Sequence, residues 1–195
     1  MILGIVLPVL GYLCGSLASA VIVCRVMKLP DPRKQGSGNP GATNVLRLGG
    51  KNAAAMTLAG DVLKGAIPVL LAHLLSDSPA VLAGTALAAI VGHMYPVFFQ
   101  FKGGKGVATT LGAVAALVYP VALFMGAVWV LTAMATRYSS LASMAAAVAA
   151  PPFALVFIQE PAYTLALVII AALLVYRHRD NIQRLRDGTE SEINL

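Results

Sequence analysis

The sequence predicts an all-α integral membrane protein with seven transmembrane helices, its N-terminus outside and its C-terminus cytoplasmic. Three observations carry that prediction. Of 195 residues, 58% are apolar and 11% are charged, against roughly 45–50% and about 25% in a soluble domain. Mean hydropathy is +0.81, and a soluble globule of this size hides only about 70% of its unfolded surface. Thirteen of the 14 basic residues sit at alternate interruptions of the apolar runs, as short cytoplasmic loops do. This composition excludes a soluble enzyme, a disordered chain and a nucleic-acid binder. Residues 1–195 read as a single polytopic membrane domain.

The seven apolar runs are 2–24, 53–75, 80–99, 107–118, 121–136, 142–158 and 162–176. The first has no Lys or Arg before Arg25, so it reads as a retained helix and not a cleaved signal. Its Gly11-x-x-x-Gly15 pattern suits close helix packing. Cys14 and Cys24 lie about 15 Å apart along a helix, too far for a disulfide. The second run carries Asp61 and Lys64, three apart on one helical face and able to pair. Such a pair reads either as functional, the default for intramembrane charge, or as a packing ion pair. The fourth and fifth runs are short for a core about 30 Å thick, so they are tilted, re-entrant or interfacial. A five-span alternative fuses 107–136 and 142–176 into long helices. The tail follows the last run without a break, and Ile182 and Leu185 share one face of an amphipathic helix.

Two interruptions are rich in glycine. Gly36-Ser37-Gly38-Asn39-Pro40-Gly41-Ala42-Thr43-Asn44 formally matches a dinucleotide fingerprint, but a charged loop precedes it where a strand is required. Its irregular backbone can still converge amides on an anion. Ser37, Thr43 and Asn44 add side-chain donors, and Arg47 adds a guanidinium fork. A solvated turn carrying topological charge fits the same residues. Lys102-Gly103-Gly104-Lys105-Gly106 lacks Walker A spacing. It precedes Val107, where a helix begins, and a helix N-terminus attracts anions. His93, upstream, is either a general base or a hydrogen-bonded interface residue. Further on, Ser140 and Ser143 share one helical face beside Arg137.

Taken in order, three segments resemble the acyl-phosphate:glycerol-3-phosphate acyltransferase family, PlsY. They are Gly36 to Asn44 with Arg47, Lys102 to Thr109, and Asn181-Ile182-Gln183-Arg184-Leu185 through Gly188 and Glu190. The resemblance spans essentially the whole chain. It implies transfer of a fatty acyl group from acyl-phosphate to the 1-hydroxyl of sn-glycerol 3-phosphate, giving lysophosphatidic acid and phosphate. It also implies seven membrane helices with the motif loops on the cytoplasmic face of a bacterial inner membrane. A functional link to an acyl-phosphate-producing enzyme follows. The lipid bilayer is the other partner, and no nucleic acid, cofactor or metal is expected.

By this resemblance the Gly103–Gly106 loop binds glycerol phosphate. Ser37, Arg47, Lys105 and Asn181 are the expected catalytic residues. Gly36, Gly38, Asn39, Gly41, Thr43, Asn44, Lys102, Gly103, Gly104, Gly106, Ser140, Ser143, His178 and Glu190 are expected to surround the substrates. Glu190 has a structural part, pairing with a basic residue. The His-x-x-x-x-Asp dyad of other membrane acyltransferases is missing, since no His here has Asp five positions on. A transporter of phosphorylated metabolites is the competing class. It would favour paired broken helices in inverted repeats, and the two glycine loops differ in length and sequence.

Overall fold

The computed structural model describes residues 2–193, which form α-helices, one short 3-10 turn and no strand. The chain divides into two compact units, Met1–Leu117 and Val118–Leu195. The first holds α1 (Leu3–Gly15), α2 (Ser19–Val26), α3 (Ala42–Leu75), α4 (Pro79–Met94), the 3-10 turn Val97–Phe99 and α5 (Val107–Leu117). The second holds α6 (Tyr119–Thr136), α7 (Ser139–Phe157), α8 (Pro161–Arg177) and α9 (Arg179–Arg186).

All seven apolar runs fold as helix, but they are not seven equivalent spans. Five segments are long and apolar enough to cross a membrane: Leu3–Val26, Ala42–Leu75, Pro79–Phe99, Tyr119–Thr136 and Ser139–Phe157. A sixth requires α8 and α9 together, and that pair is bent by 56°. At 11 residues, α5 rises only about 16 Å, half of a hydrocarbon core. The five-span alternative fails on the backbone. Val118 separates α5 from α6, and Gln159 takes φ 59° between α7 and α8.

Three sequence expectations change. The first run is two helices, broken at Ser16-Leu17-Ala18. The interruption is tolerable in an apolar setting because its polar groups find partners. Ser16 Oγ donates to Tyr12 O at 2.8 Å, and Leu17 O accepts from Lys64 Nζ at 2.7 Å. The second run starts eleven residues early, at Ala42, so Thr43, Asn44 and Arg47 lie on a helix and not in a loop. That 34-residue helix bends at Gly50, where φ is 74°. The tail does not continue α8 straight. The chain turns at His178, where apolar sequence gives way to Arg179-Asp180-Asn181.

In the first unit, α1 packs on α4, and α3 packs on α4 and α5. Small residues make these approaches possible, as they do between membrane helices generally. A Cβ on Gly15 would collide with the Ala89 carbonyl, and one on Gly11 would lie 2.7 Å from Thr85 O. The expected Gly11-x-x-x-Gly15 packing face is therefore present. Ala53, Ala86 and Ala89 are fully buried. In the second unit, α7 packs between α6 and α8, with Phe124 stacked on Phe153 at 4.2 Å.

Candidate active site

The first glycine loop is shaped from within by Asn44, a buried residue of α3's first turn. Its Oδ1 accepts from Ser37 N at 3.0 Å, and its Nδ2 donates to Pro32 O and Gln35 O at 2.9 and 3.0 Å. Both amide protons are thus committed to loop carbonyls. The expected anion donor is instead the residue that folds the loop. Gly36 has φ 63°, and a Cβ there would strike Asn44 Oδ1. Ser37, Thr43 and Arg47 are exposed around this frame, while Asn39 and Gly41 are half-buried. Thr43 and Arg47 are four apart on α3 and share a face. At the loop's start, Arg33 Nη2 meets Asp31 Oδ2 at 2.7 Å. The Arg33 hydrogen bonds hold the Asp31 carboxyl down at about 2.

The second glycine loop folds directly onto His93. Gly104 N donates to His93 O at 3.3 Å. A Cβ on Gly104 would run into His93 Nε2 and come within 3.2 Å of Pro40 O. Pro40 belongs to the first glycine loop, so the first unit brings both loops together at this point. Gly103, Gly104 and Gly106 are buried, Lys105 is half-buried and Lys102 is exposed. As expected, α5 begins at Val107 directly after Gly106, directing its N-terminal amides toward the loop.

Beneath the loop lies a buried polar cluster. Asp61 and Lys64 pair at 2.7 Å, as their spacing predicted, with side chains 3% and 5% exposed. His93 Nδ1 lies 3.5 Å from Asp61 Oδ1 and 3.1 Å from Thr109 Oγ1. His93 is therefore an interior partner of polar groups on α3 and α5. Motif spacing alone does not single out Thr109; its local signal is a hydroxyl in the first turn of a helix that follows a glycine loop.

In the second unit, Glu190 gathers three donors. Ser140 Oγ and Asn181 Nδ2 each reach Oε1 at 2.6 Å, and Arg184 Nε reaches Oε2 at 2.7 Å. The pairing of Glu190 with a basic residue is present, and Arg184 is that residue. Burial pushes its carboxyl up, but these three hydrogen bonds outweigh it and hold the pKa below the ordinary value. His178 Nδ1 donates to Leu174 O at 2.8 Å, which fixes the ring at the α8–α9 turn. The Ser143 hydroxyl donates to Ser139 O at 2.7 Å and accepts from Trp129 Nε1 at 3.1 Å, so it joins α6 to α7.

Fold and loops together define a helical, multi-pass membrane protein carrying basic glycine-rich loops. The glycerol-3-phosphate acyltransferase family model matches residues 5–188, and the chain belongs to that family. A glycerol-3-phosphate acyltransferase of Legionella pneumophila strain Corby is 54% identical over 195 residues, all of this chain and 70% of the relative. One from Proteus mirabilis is 52% identical over 185 residues, 95% of this chain and 84% of the relative. Two crystal structures of PlsY (YgiH), an integral membrane glycerol 3-phosphate acyltransferase, share the fold. The glycerol 3-phosphate form has a TM-score of 0.93 at 44% identity, covering 98% of this chain and 96% of that one. The lysophosphatidic acid form has a TM-score of 0.90 at 42% identity, covering 98% and 95%.

Proposed function

We propose that this enzyme takes its acyl group from acyl-phosphate and places it on the 1-hydroxyl of sn-glycerol 3-phosphate. The observation that carries this reading is the approach of the two glycine loops at Pro40 and Gly104. The loop that carries Lys105 thus meets the loop that carries Ser37 and leads to Arg47, in one unit, and both substrates carry a phosphate. The relative crystallised with glycerol 3-phosphate supports the acceptor. The relative crystallised with lysophosphatidic acid supports the product.

Acyl-phosphate is a mixed anhydride, so its phosphate leaves readily and no acyl-enzyme is needed. The glycerol 1-oxygen attacks the acyl carbonyl carbon, the carbon–oxygen bond to phosphate breaks, and the hydroxyl proton departs on the phosphate. Lys105 and the glycine-loop backbone hold glycerol 3-phosphate, with the Gly104 amide kept by the His93 carbonyl. Arg47 and Ser37 hold the acyl-phosphate headgroup and stabilise charge as it develops. The loops' contribution is chiefly orientation. In the second unit, Glu190 fixes Asn181 and Ser140, and the Leu174 carbonyl fixes His178 at the α8–α9 turn.

The Lys/Arg distribution supports seven membrane passes with the N-terminus outside and both loops cytoplasmic, in a bacterial inner membrane. An enzyme that makes acyl-phosphate must supply the donor. The test uses purified protein in detergent with palmitoyl-phosphate and glycerol 3-phosphate. Phosphate release that needs both substrates is expected. Flux of glycerol 3-phosphate into liposomes without release supports transport instead, and an acyl group trapped on Ser37 overturns direct attack.

A further inference from the structure

We infer that His93 and Thr109 are positioning residues for the glycerol-phosphate loop, acting through the imidazole wedged beneath Gly104. The inference rests on the assignment of the Gly103–Gly106 loop to glycerol 3-phosphate, and it adds a cluster that the reaction itself does not touch.

His93 meets the loop twice. Its carbonyl accepts from Gly104 N at 3.3 Å, and its ring nitrogen Nε2 fills the space that a Gly104 side chain would need. The height of the loop backbone is therefore set by the ring. The ring in turn is oriented from its other side. Nδ1 is 3.1 Å from Thr109 Oγ1 on α5 and 3.5 Å from Asp61 Oδ1 on α3. Thr109 stands three residues after Gly106, in the first turn of the helix that the loop enters. The imidazole thus ties the loop to the helix start where its phosphate-facing amides end. Asp61 is held by Lys64, and Lys64 is held by the Leu17 carbonyl in the break between α1 and α2. The side chains of His93, Thr109, Asp61 and Lys64 are all buried, so hydrogen bonds that fix geometry are not exchanged for water. Loss of the ring's orientation releases the loop amides from a fixed arrangement, and ordering them becomes a cost of binding the ligand.

The experiment measures KM for glycerol 3-phosphate and for palmitoyl-phosphate separately, with kcat and thermal unfolding in detergent. His93→Ala is expected to raise KM for glycerol 3-phosphate at least tenfold. KM for palmitoyl-phosphate stays within about twofold and kcat within about threefold. Thr109→Val, close in shape, is expected to raise KM for glycerol 3-phosphate about threefold or more, and Thr109→Ser to restore it to within twofold of the unaltered protein. If His93→Ala does not fold, the Thr109 pair decides alone. A parallel rise in both KM values, a fall in kcat at unchanged KM, or a Thr109→Val enzyme equal to the unaltered one overturns the inference. Absence of two-substrate phosphate release from the unaltered protein overturns the acyltransferase reading and this inference together.

Discussion

Two carboxylates organise two regions of this molecule, and they differ in the company they keep. Asp61 in the first unit and Glu190 in the second are both well covered, with side chains 3% and 7% exposed. Each pairs with a cation at 2.7 Å. The cations are not alike. Lys64 is 5% exposed, whereas Arg184 is 40% exposed. Removing Asp61 strands a buried ammonium, but removing Glu190 returns a guanidinium to water. The pairs look equivalent as distances and are unequal as energies, because the cost of breaking an ion pair is set by where the surviving charge is left.

The largest effect is therefore expected from Asp61→Ala, which leaves Lys64 with a backbone carbonyl and no counter-charge. A loss of about 3–5 kcal/mol is typical for such a break, read as a large drop in thermal unfolding temperature in detergent. The double change Asp61→Leu with Lys64→Leu should recover most of it. A double variant as unstable as Asp61→Ala would break the comparison. Glu190→Gln should cost less, about 2 kcal/mol from weakened charged hydrogen bonds, because Arg184 can turn to solvent.

Acid sharpens the contrast. The Glu190 pKa is lowered in the folded state, so its contribution is full above the ordinary glutamate range and disappears as pH falls through the lowered value. The unaltered protein should lose stability across that interval. Glu190→Gln should lose less there, and equal slopes would remove Glu190 as the cause. Smallest of all, Ser143→Ala breaks the bond to Trp129 at a cost of about 1 kcal/mol. Trp129 is the single tryptophan of the chain, so its fluorescence should shift while unfolding barely moves. An unchanged spectrum would place the indole elsewhere.

The outline of this fold was legible because burial of apolar runs and scarcity of charge are written residue by residue. All seven runs became helix, and the Asp61–Lys64 pair followed from a spacing of three. What the sequence could not display was which donors were already spent. Asn44 and Ser140 each carry a donor suited to phosphate. Their acceptors, the Gln35 carbonyl and the Glu190 carboxylate, lie 9 and 50 residues away, and such pairings depend on tertiary packing. The break at Leu17 was hidden for a related reason. Ser16-Leu17-Ala18 is ordinary in a membrane helix, and what makes a break there tolerable is a lysine 47 residues further on. The place of His93 beneath Gly104 was equally invisible, since nothing in either residue announces the other.

The spacing of Asp61 and Lys64 also bears on how the chain is made. Their partnership is internal to one helix, three residues apart, and so is available as soon as that helix forms. A lone Asp or Lys at the centre of an inserting segment costs about 2.5–3.5 kcal/mol on the translocon scale. A segment that carries both, already joined, presents the insertion machinery with an internally neutral helix. Leu17 has been synthesised by then, and His93 arrives with the next span. The emerging polypeptide therefore meets the elements of its buried cluster in an order that never requires an isolated charge to wait in lipid.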